Sequence, residues 1–347
     1  MADDSARISE SAFRDVPPVA VHVTRGDMIE SRHRASFAVV DTEGRTVAAA
    51  GNIDAPVYPR SAIKPLQALP VIETGAADRF SMTGPELALA CASHGGEPEH
   101  VATAAGLLRR AGLSVADLAC GAHLPYHVPS AHALIRAGEA PSALHNNCSG
   151  KHAAMLATVV HMGEKVRGYV APEHPAQRRI TRVYEEMCGV DLSRAPRGID
   201  GCSLPQIGVP LSALARGMAR FGAPDGLPPA RAAACRRLAE AMVRHPMMIA
   251  GTGRFCTTVT EIAAGKAVLK TGAEGMYMAA IPARGMGIAI KVEDGAARAA
   301  EVALAVLLAR YADFDAGQLA QLDTLMNLPL TNVAGLRIGQ LAPNPNF

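Results

Sequence analysis

The pattern of apolar and polar positions predicts strands at both ends of the chain. Short β-branched and apolar runs, separated by turn residues, are typical of antiparallel strands joined by tight turns. The first group covers 19–23, 36–41 and 45–50, and the second group covers 257–263, 267–270 and 287–292. Because the same pattern occurs near both termini, we predict that the two groups form one sheet.

Between these groups, apolar residues recur at helical spacing and are interrupted by Gly and Pro. The predicted helices cover 66–73, 101–111, 152–161, 177–188 and 230–244, followed by an amphipathic helix at 296–311. We therefore predict the α/β (α+β) class, with an antiparallel sheet built from N- and C-terminal strands and an inserted helical subdomain.

The predicted organisation is a polar tail followed by a single domain. The tail covers 1–18 and the domain covers 19–347, with sheet strands at about 19–60 and 255–313 and the helical part at about 61–254.

Charge and hydropathy exclude several classes of function. The chain has 347 residues and a net charge of +2, which gives no electrostatic reason to bind nucleic acid. The longest apolar stretches, such as 302–309, fall short of the roughly 20 residues that span a bilayer. The N-terminus lacks the apolar run of a secretory signal. We therefore expect a cytoplasmic protein with neither nucleic-acid nor membrane partners.

Lysine is rare, since only six of the 34 basic residues are Lys. Arg stays protonated whereas a buried Lys can lose its proton, so each Lys is a candidate for acid–base chemistry. Ser61 and Lys64 form a Ser-x-x-Lys set at the start of a predicted helix, where one turn brings amine and hydroxyl together. A neutral amine there would create an acylating nucleophile. The alternative is an N-cap serine with an exposed lysine.

Two further elements add to this chemistry. Lys270-Thr271-Gly272 ends a predicted strand and resembles the Lys-Thr-Gly element of the penicillin-recognising hydrolases. The alternative for Lys270 is an edge-strand lysine that prevents aggregation. Ser93 lies in a Gly-rich turn, where it is either a second nucleophile or proton shuttle, or a residue that caps the next helix.

Seven scattered cysteines favour free or metal-bound thiols over a disulfide framework. Two turn-rich loops, 145–152 and 201–203, contain thiols close to imidazole and amine groups. Two thiolates with a nitrogen ligand suit zinc. Spacing nominates Cys148 and His152, one helical turn apart, together with Cys202. The alternative is that these cysteines are inert and buried.

Six motifs in order resemble the thermolabile, rhizobial-type L-asparaginases, the asparaginase II family. They are Glu30–His33, Arg60–Pro65, Ala92–Glu97, Asn146–His152, Gly198–Pro205 and Lys270–Gly275. This resemblance runs from Val23 to about Ile290. It implies a fold similar to serine β-lactamases and glutaminases, a homodimer, and hydrolysis of L-asparagine to aspartate and ammonia.

The resemblance also implies the composition of the site. It implies two Ser-Lys pairs, which fall on Ser61 with Lys64 and on Ser93 with Lys270. It implies a zinc ion beside them, and the ligands that it assigns are Cys148, Lys151 and Cys202. Lys151 thus replaces His152, the ligand that spacing nominated. The motif residues that we expect to contact the substrate are Arg60, His152, Asp200, Gly272 and Glu274.

These residues lead to one mechanistic hypothesis. We expect neutral Lys64 to activate Ser61 for attack on the side-chain amide, while Ser93 and Lys270 relay the proton to the leaving amine. Backbone N–H groups near Ser61 and Gly272 are expected to stabilise the oxyanion, and the zinc is expected to orient the substrate. Two alternatives remain: another serine hydrolase of the β-lactamase or glutaminase type, and a non-catalytic zinc or thiol sensor on the same fold.

Overall fold

A computed structural model describes residues 16–347. Most of the predicted polar tail, residues 1–15, lies outside the described residues. The strands are β1 Val19–Arg25, β2 Met28–Asp41, β3 Thr46–Ala50, β4 Pro56–Val57, β5 Arg197–Ile199, β6 Pro205–Ile207, β7 Val209–Pro210, β8 Val268–Thr271, β9 Met276–Ile281, β10 Met286–Val292, β11 Leu328–Thr331 and β12 Arg337–Pro343.

The helices occur in runs between these strands, and twelve of those described lie between β4 and β8. They are α1 Lys64–Gln67, α2 Leu69–Glu73, α3 Ala76–Arg79, α4 Gly84–Ala90, α5 Pro98–Arg110, α6 Val128–Arg136, α7 Ser149–His161, α8 Pro175–Cys188, α9 Leu211–Gly222, α10 Pro229–Arg244, α11 Pro246–Ile249, α12 Phe255–Ala263, α13 Ala297–Tyr311 and α14 Ala316–Met326. A short 3-10 helix, Arg60–Ile63, directly precedes α1.

Eight strands form one antiparallel sheet from both ends of the chain. The order is β11-β12-β1-β2-β10-β9-β8, and β3 pairs with the second half of β2. The strand β2 joins the two halves because its 14 residues pair first with β1 and then with β10. The predicted fold class, with an antiparallel sheet built from both termini and helices inserted between them, is confirmed.

The structure corrects one predicted strand. Residues 257–263 form most of helix α12, not a strand. The run of Thr and Val residues suggested a strand, but the buried positions Cys256, Val259, Thr260 and Ala263 follow helical spacing. The helix ends at Ala264, which adopts the left-handed conformation with φ of 47°.

Several elements were not predicted, among them strand β9 and helices α6 and α14. Strands β11 and β12 follow residue 313 and extend the sheet beside β1. Helix α9 lies against β10, β2 and β9 and fills one face of the sheet. None of the helices in residues 16–347 has the length and hydropathy that crossing a membrane requires.

The contact between α9 and the sheet depends on Gly287 in β10. A methyl group at Gly287 would overlap the carbonyl oxygen of Ala215 and the amide nitrogen of Ala219, both in the α9 backbone. We expect Gly287→Ala to lower the free energy of unfolding by about 3 kcal/mol, because backbone cannot move aside as a flexible side chain would. Urea denaturation would measure this change. Gly226→Ala is the control, since its added methyl meets open space, and an equal loss there would contradict the packing argument.

Candidate active site

Lys64 is the centre of the site. It begins α1, with Pro65 as the next residue, so the proline lies in the first turn where helices accept it. The side chain is fully buried. Its Nζ lies 2.5 Å from the Ala92 carbonyl oxygen, 2.9 Å from Ser93 Oγ and 3.1 Å from Cys148 Sγ. One amine therefore connects the serine turn to the cysteine loop.

Lys270 approaches the same serine from the sheet. It lies in strand β8, is fully buried, and its Nζ is 2.9 Å from Ser93 Oγ and 2.7 Å from the Thr271 carbonyl oxygen. Ser93 is itself only 5% exposed. The sequence-predicted pair of Ser93 and Lys270 is in contact, and Lys64, Ser93 and Lys270 form one hydrogen-bonded row.

Ser61 lies beside this row without joining it. The backbone N–H of Lys64 donates to the Ser61 carbonyl oxygen, so the two residues are one turn apart as the spacing predicted. Ser61 is partly exposed. Within residues 16–347, however, no hydrogen bond joins Ser61 Oγ to Lys64 Nζ. In this state the amine contacts the buried Ser93 instead.

Burial sets the protonation of the two lysines. Removal from water lowers the pKa of Lys64 below its usual value. Burial also lowers the pKa of Lys270, to about 7, and the neighbouring charge of Lys64 adds to this effect. A neutral amine is therefore accessible near physiological pH, which general-base chemistry requires.

The predicted metal ligands lie together on the other side of Lys64. Cys148 is the N-cap of α7, and Lys151 lies in the first turn of that helix. Lys151 Nζ is 3.1 Å from Cys202 Sγ, and all three side chains are buried. The fold thus brings Cys148 and Lys151 to one place with Cys202, which lies in a separate loop of the sequence.

A hydrogen bond between the thiols of Cys148 and Cys202 is the largest influence on the pKa of each. The neighbouring Cys202 thiol and the amines of Lys151 and Lys64 hold the pKa of Cys148 well below its usual value. Burial opposes the charge on Lys151, but the sulfurs of Cys148 and Cys202 outweigh burial and raise the pKa of Lys151. The two sulfurs are of the kind that binds zinc, whereas the amine of Lys151 becomes a donor only after it releases its proton.

The expected zinc set contains a lysine in addition to two of the usual cysteine ligands. No group of three or more His, Cys, Asp or Glu side chains in the described part of the chain is arranged to hold a metal ion. A site made of two thiols and an amine does not depend on such a group.

Arg60 and Asp200 form an ion pair at the edge of the site. Arg60 Nε lies 3.0 Å and Nη2 lies 2.9 Å from Asp200 Oδ1. The buried Gln206 contacts both residues: its Oε1 accepts from the Arg60 backbone N–H at 3.2 Å, and its Nε2 donates to Asp200 Oδ2 at 3.2 Å. Sequence reasoning missed Gln206, because a lone glutamine carries no motif.

His152 lies deeper than the sequence suggested. It is fully buried in α7, and its Nδ1 is 2.6 Å from the Tyr169 hydroxyl. Its Nε2 has no hydrogen-bond partner among the described residues. Burial lowers the pKa of His152 well below its usual value, so the ring is neutral.

Gly272 and Glu274 lie in the turn that follows β8. A side chain at Gly272 would meet the Pro59 carbonyl oxygen and the Ala62 backbone nitrogen, so the glycine lets this turn approach Ser61. The Gly272 N–H donates to the Met276 carbonyl oxygen at 2.8 Å. It is therefore not a free oxyanion donor. Glu274 is exposed, and its backbone is left-handed with φ of 58°.

His94 is a second residue that sequence reasoning missed. It is fully buried next to Ser93, and its Nδ1 accepts from the Gly96 N–H at 3.1 Å. Its Nε2 lies 2.9 Å from Ser149 Oγ, which follows Cys148. His94 thus links the serine turn to the cysteine loop. Its position inside the Ala92–Glu97 motif was the available signal.

A buried serine between two lysine amines is suited to acyl transfer. Comparison with protein families then gives the specific assignment: residues 21–343 match the L-asparaginase II family, so the chain belongs to that family. This predicted membership is confirmed, and it supports an amidohydrolase that acts on a small molecule. Comparison with curated proteins gives no significant match.

Two solved structures illustrate the similarity of this chain to known folds. A β-lactamase from Mycobacterium bovis has 14% identity and a TM-score of 0.42, and the match covers 80% of this chain and 95% of that chain. The protein named Mglu has 15% identity and a TM-score of 0.33, and the match covers 77% of this chain and 64% of that chain.

Proposed function

We propose that the protein hydrolyses the side-chain amide of L-asparagine to L-aspartate and ammonia. Membership of the L-asparaginase II family supports this proposal. The observation that carries it is the buried row of Lys64, Ser93 and Lys270, in which one hydroxyl lies 2.9 Å from each of two amines. Such a row supplies both a base and a proton relay.

Ser61 is the proposed nucleophile. It is partly exposed, whereas Ser93 is almost fully buried. Lys64, one turn away, takes the Ser61 proton as Oγ forms a bond to the amide carbon. The C–N bond then breaks, ammonia leaves with a proton from the row, and water hydrolyses the resulting ester. Catalytic hydrogen bonds in free enzymes often tighten only when substrate binds, so the missing Ser61–Lys64 bond is compatible with this role.

Ser93 is the second candidate nucleophile, and one specific observation favours it. It is the only hydroxyl that either catalytic lysine contacts in the described part of the chain. In the main proposal Ser93 instead passes a proton between Lys64 and Lys270.

The zinc proposal rests on the donor set. Cys148, Lys151 and Cys202 would hold the ion, and the chemistry it would supply is Lewis-acid attraction that orients the polar head of the substrate. The protein's contribution is to bury the two sulfurs beside a lysine amine. Lys151 has to release its proton before it binds a metal.

Removing zinc is expected to raise KM at least tenfold with a smaller effect on kcat, because orientation of the substrate is the role assigned to it. Dialysis against a chelator, zinc determination by mass spectrometry and steady-state kinetics would measure this effect. Re-addition of zinc should restore KM. If chelation abolished turnover and left KM unchanged, the assigned role would be wrong.

Activity is expected to fall as the pH is lowered through about 7. Burial lowers the pKa of Lys270 to about 7. Below that pH the ammonium form dominates and Ser93 loses an acceptor, whereas above it the neutral amine accepts a proton. The pH profile of kcat/KM should therefore rise between about pH 6 and 8. Circular dichroism over the same range would control for unfolding. A flat profile would contradict a role for neutral Lys270.

Ammonia release from L-asparagine, with L-glutamine in a parallel reaction, is the direct test. Release from asparagine that follows enzyme concentration supports the proposal. Hydrolysis of nitrocefin without ammonia release would favour a β-lactamase-type enzyme, and zinc-dependent partner binding without turnover would favour a sensor.

The proposal includes a homodimer in the cytoplasm, and light scattering of the purified protein would give a mass of twice 36.1 kDa.

A further inference from the structure

Arg60 has an unusual backbone conformation at the edge of the site. Its φ is 49°, in the left-handed region that favours glycine. A long side chain in that region is strained, and such strain persists only where the surroundings hold it. The next residue is Ser61, so the conformation of residue 60 sets the direction of the proposed nucleophile.

Gln206 accepts a hydrogen bond from the backbone of Arg60. Arg60 begins the 3-10 helix, so its N–H has no partner within the helix. The Gln206 side chain accepts this N–H at 3.2 Å. Gln206 lies in strand β6, which pairs with β5 through Gly198, and its side chain is 5% exposed. A paired strand thus fixes the acceptor.

The amide of Gln206 satisfies both contacts of this side chain. Its oxygen faces the Arg60 N–H, and its nitrogen donates to Asp200 Oδ2 at 3.2 Å. The reverse orientation would place two donors together and two acceptors together. Asp200 in turn pairs with the Arg60 guanidinium. Backbone and side chain of Arg60 are therefore held by one network.

We propose that Gln206 is a positioning residue that locks residue 60 in its left-handed conformation and thereby orients Ser61 for attack. This inference rests on the proposed function for its effect on turnover. The alternative is that Gln206 only stabilises the hairpin of β5 and β6 and has no influence on catalysis.

Three variants separate these possibilities. Gln206→Met keeps the length and removes both contacts, and we expect it to lower kcat about 10²-fold, a loss of the size expected from a misplaced nucleophile. Gln206→Glu keeps an acceptor for the Arg60 N–H and loses the donor to Asp200 Oδ2, so its kcat should lie between those of the parent and of Gln206→Met. Gln318→Met is the matched control: Gln318 is also a buried glutamine with several hydrogen bonds, but it caps α14 away from the site. It should keep kcat.

A double variant tests whether Gln206 acts through residue 60. Glycine adopts the left-handed conformation at little cost, so in an Arg60→Gly background the change Gln206→Met should lower kcat less than threefold. Equal losses in both backgrounds would overturn the proposal. So would an unchanged kcat in the single Gln206→Met variant.

Hydrogen exchange gives a readout that does not depend on asparaginase activity. The segment 58–66 should exchange at least tenfold faster in Gln206→Met than in the parent, and less so in Gln206→Glu. Faster exchange in a protein that releases no ammonia would contradict the proposed function while supporting the lock. Unchanged exchange at this segment would overturn the lock, whatever the activity.

Discussion

Lys64→Met is expected to lower kcat/KM for L-asparagine roughly 10⁴-fold, the upper range for loss of a general base. Lys64 Nζ contacts Ser93 Oγ and Cys148 Sγ and lies one turn from Ser61, so no other amine occupies its place. Methionine fills a similar volume without a proton to exchange. Ammonia release under single-turnover conditions would measure the loss of chemistry.

The control for this variant is Lys165→Met, since Lys165 is exposed and should keep full activity. The variant at position 64 should also keep or increase the free energy of unfolding, because it removes a buried amine that burial destabilises when charged. Zinc content should be measured alongside, as Lys64 touches Cys148. If Lys64→Arg retained activity, the neutral amine would not be the base, because Arg stays protonated.

The fold was largely predictable because local sequence patterns indicate most strands of its sheet. Alternation and turn residues located β1, β2, β3, β8 and β10, and helical spacing located most of the long helices. The failures have a physical reason. The β-branched residues of α12 favour a strand, but the segment packs against α11 and β8 and forms a helix there. The strands β11 and β12 are partly exposed and contain Pro or Gly, so their pairing with the rest of the sheet left little signal.

The composition of the site was predictable, but its internal pairing was not. The motifs identified Lys64, Ser93, Lys270 and the thiols. Spacing predicted that Lys64 would contact Ser61, whereas three buried partners, including the Ala92 carbonyl, direct its amine to Ser93. A fully buried amine takes the partners that replace its lost water. Spacing along one helix cannot show such partners.

Gln206 illustrates the second limit. Its partners are Arg60, 146 positions away in the chain, and Asp200, six positions away. Neither contact follows from a motif. The left-handed conformation of Arg60 was equally hidden, because arginine carries no preference for it. Residues that hold others in place are found only once the fold is known.

Ser61→Ala is expected to lower kcat roughly 10⁵-fold, since it removes the proposed nucleophile, whereas Ser93→Ala should cost about 10³-fold as loss of a proton relay. The difference follows from access: Ser61 is partly exposed and Ser93 is almost fully buried. Steady-state ammonia release from both variants would measure it, with the exposed Ser193→Ala as control.

Trapping the acyl-enzyme distinguishes the two serines without relying on rates. Acid quenching during turnover, followed by peptide mass spectrometry, should find the aspartyl ester on Ser61 in the parent and in Ser93→Ala, and no ester in Ser61→Ala. An ester on Ser93 would reverse the assignment: Lys64 and Lys270, each 2.9 Å from its hydroxyl, would then be its base and acid. Ser61 would lie beside the reaction, and the row of three side chains would carry the chemistry alone.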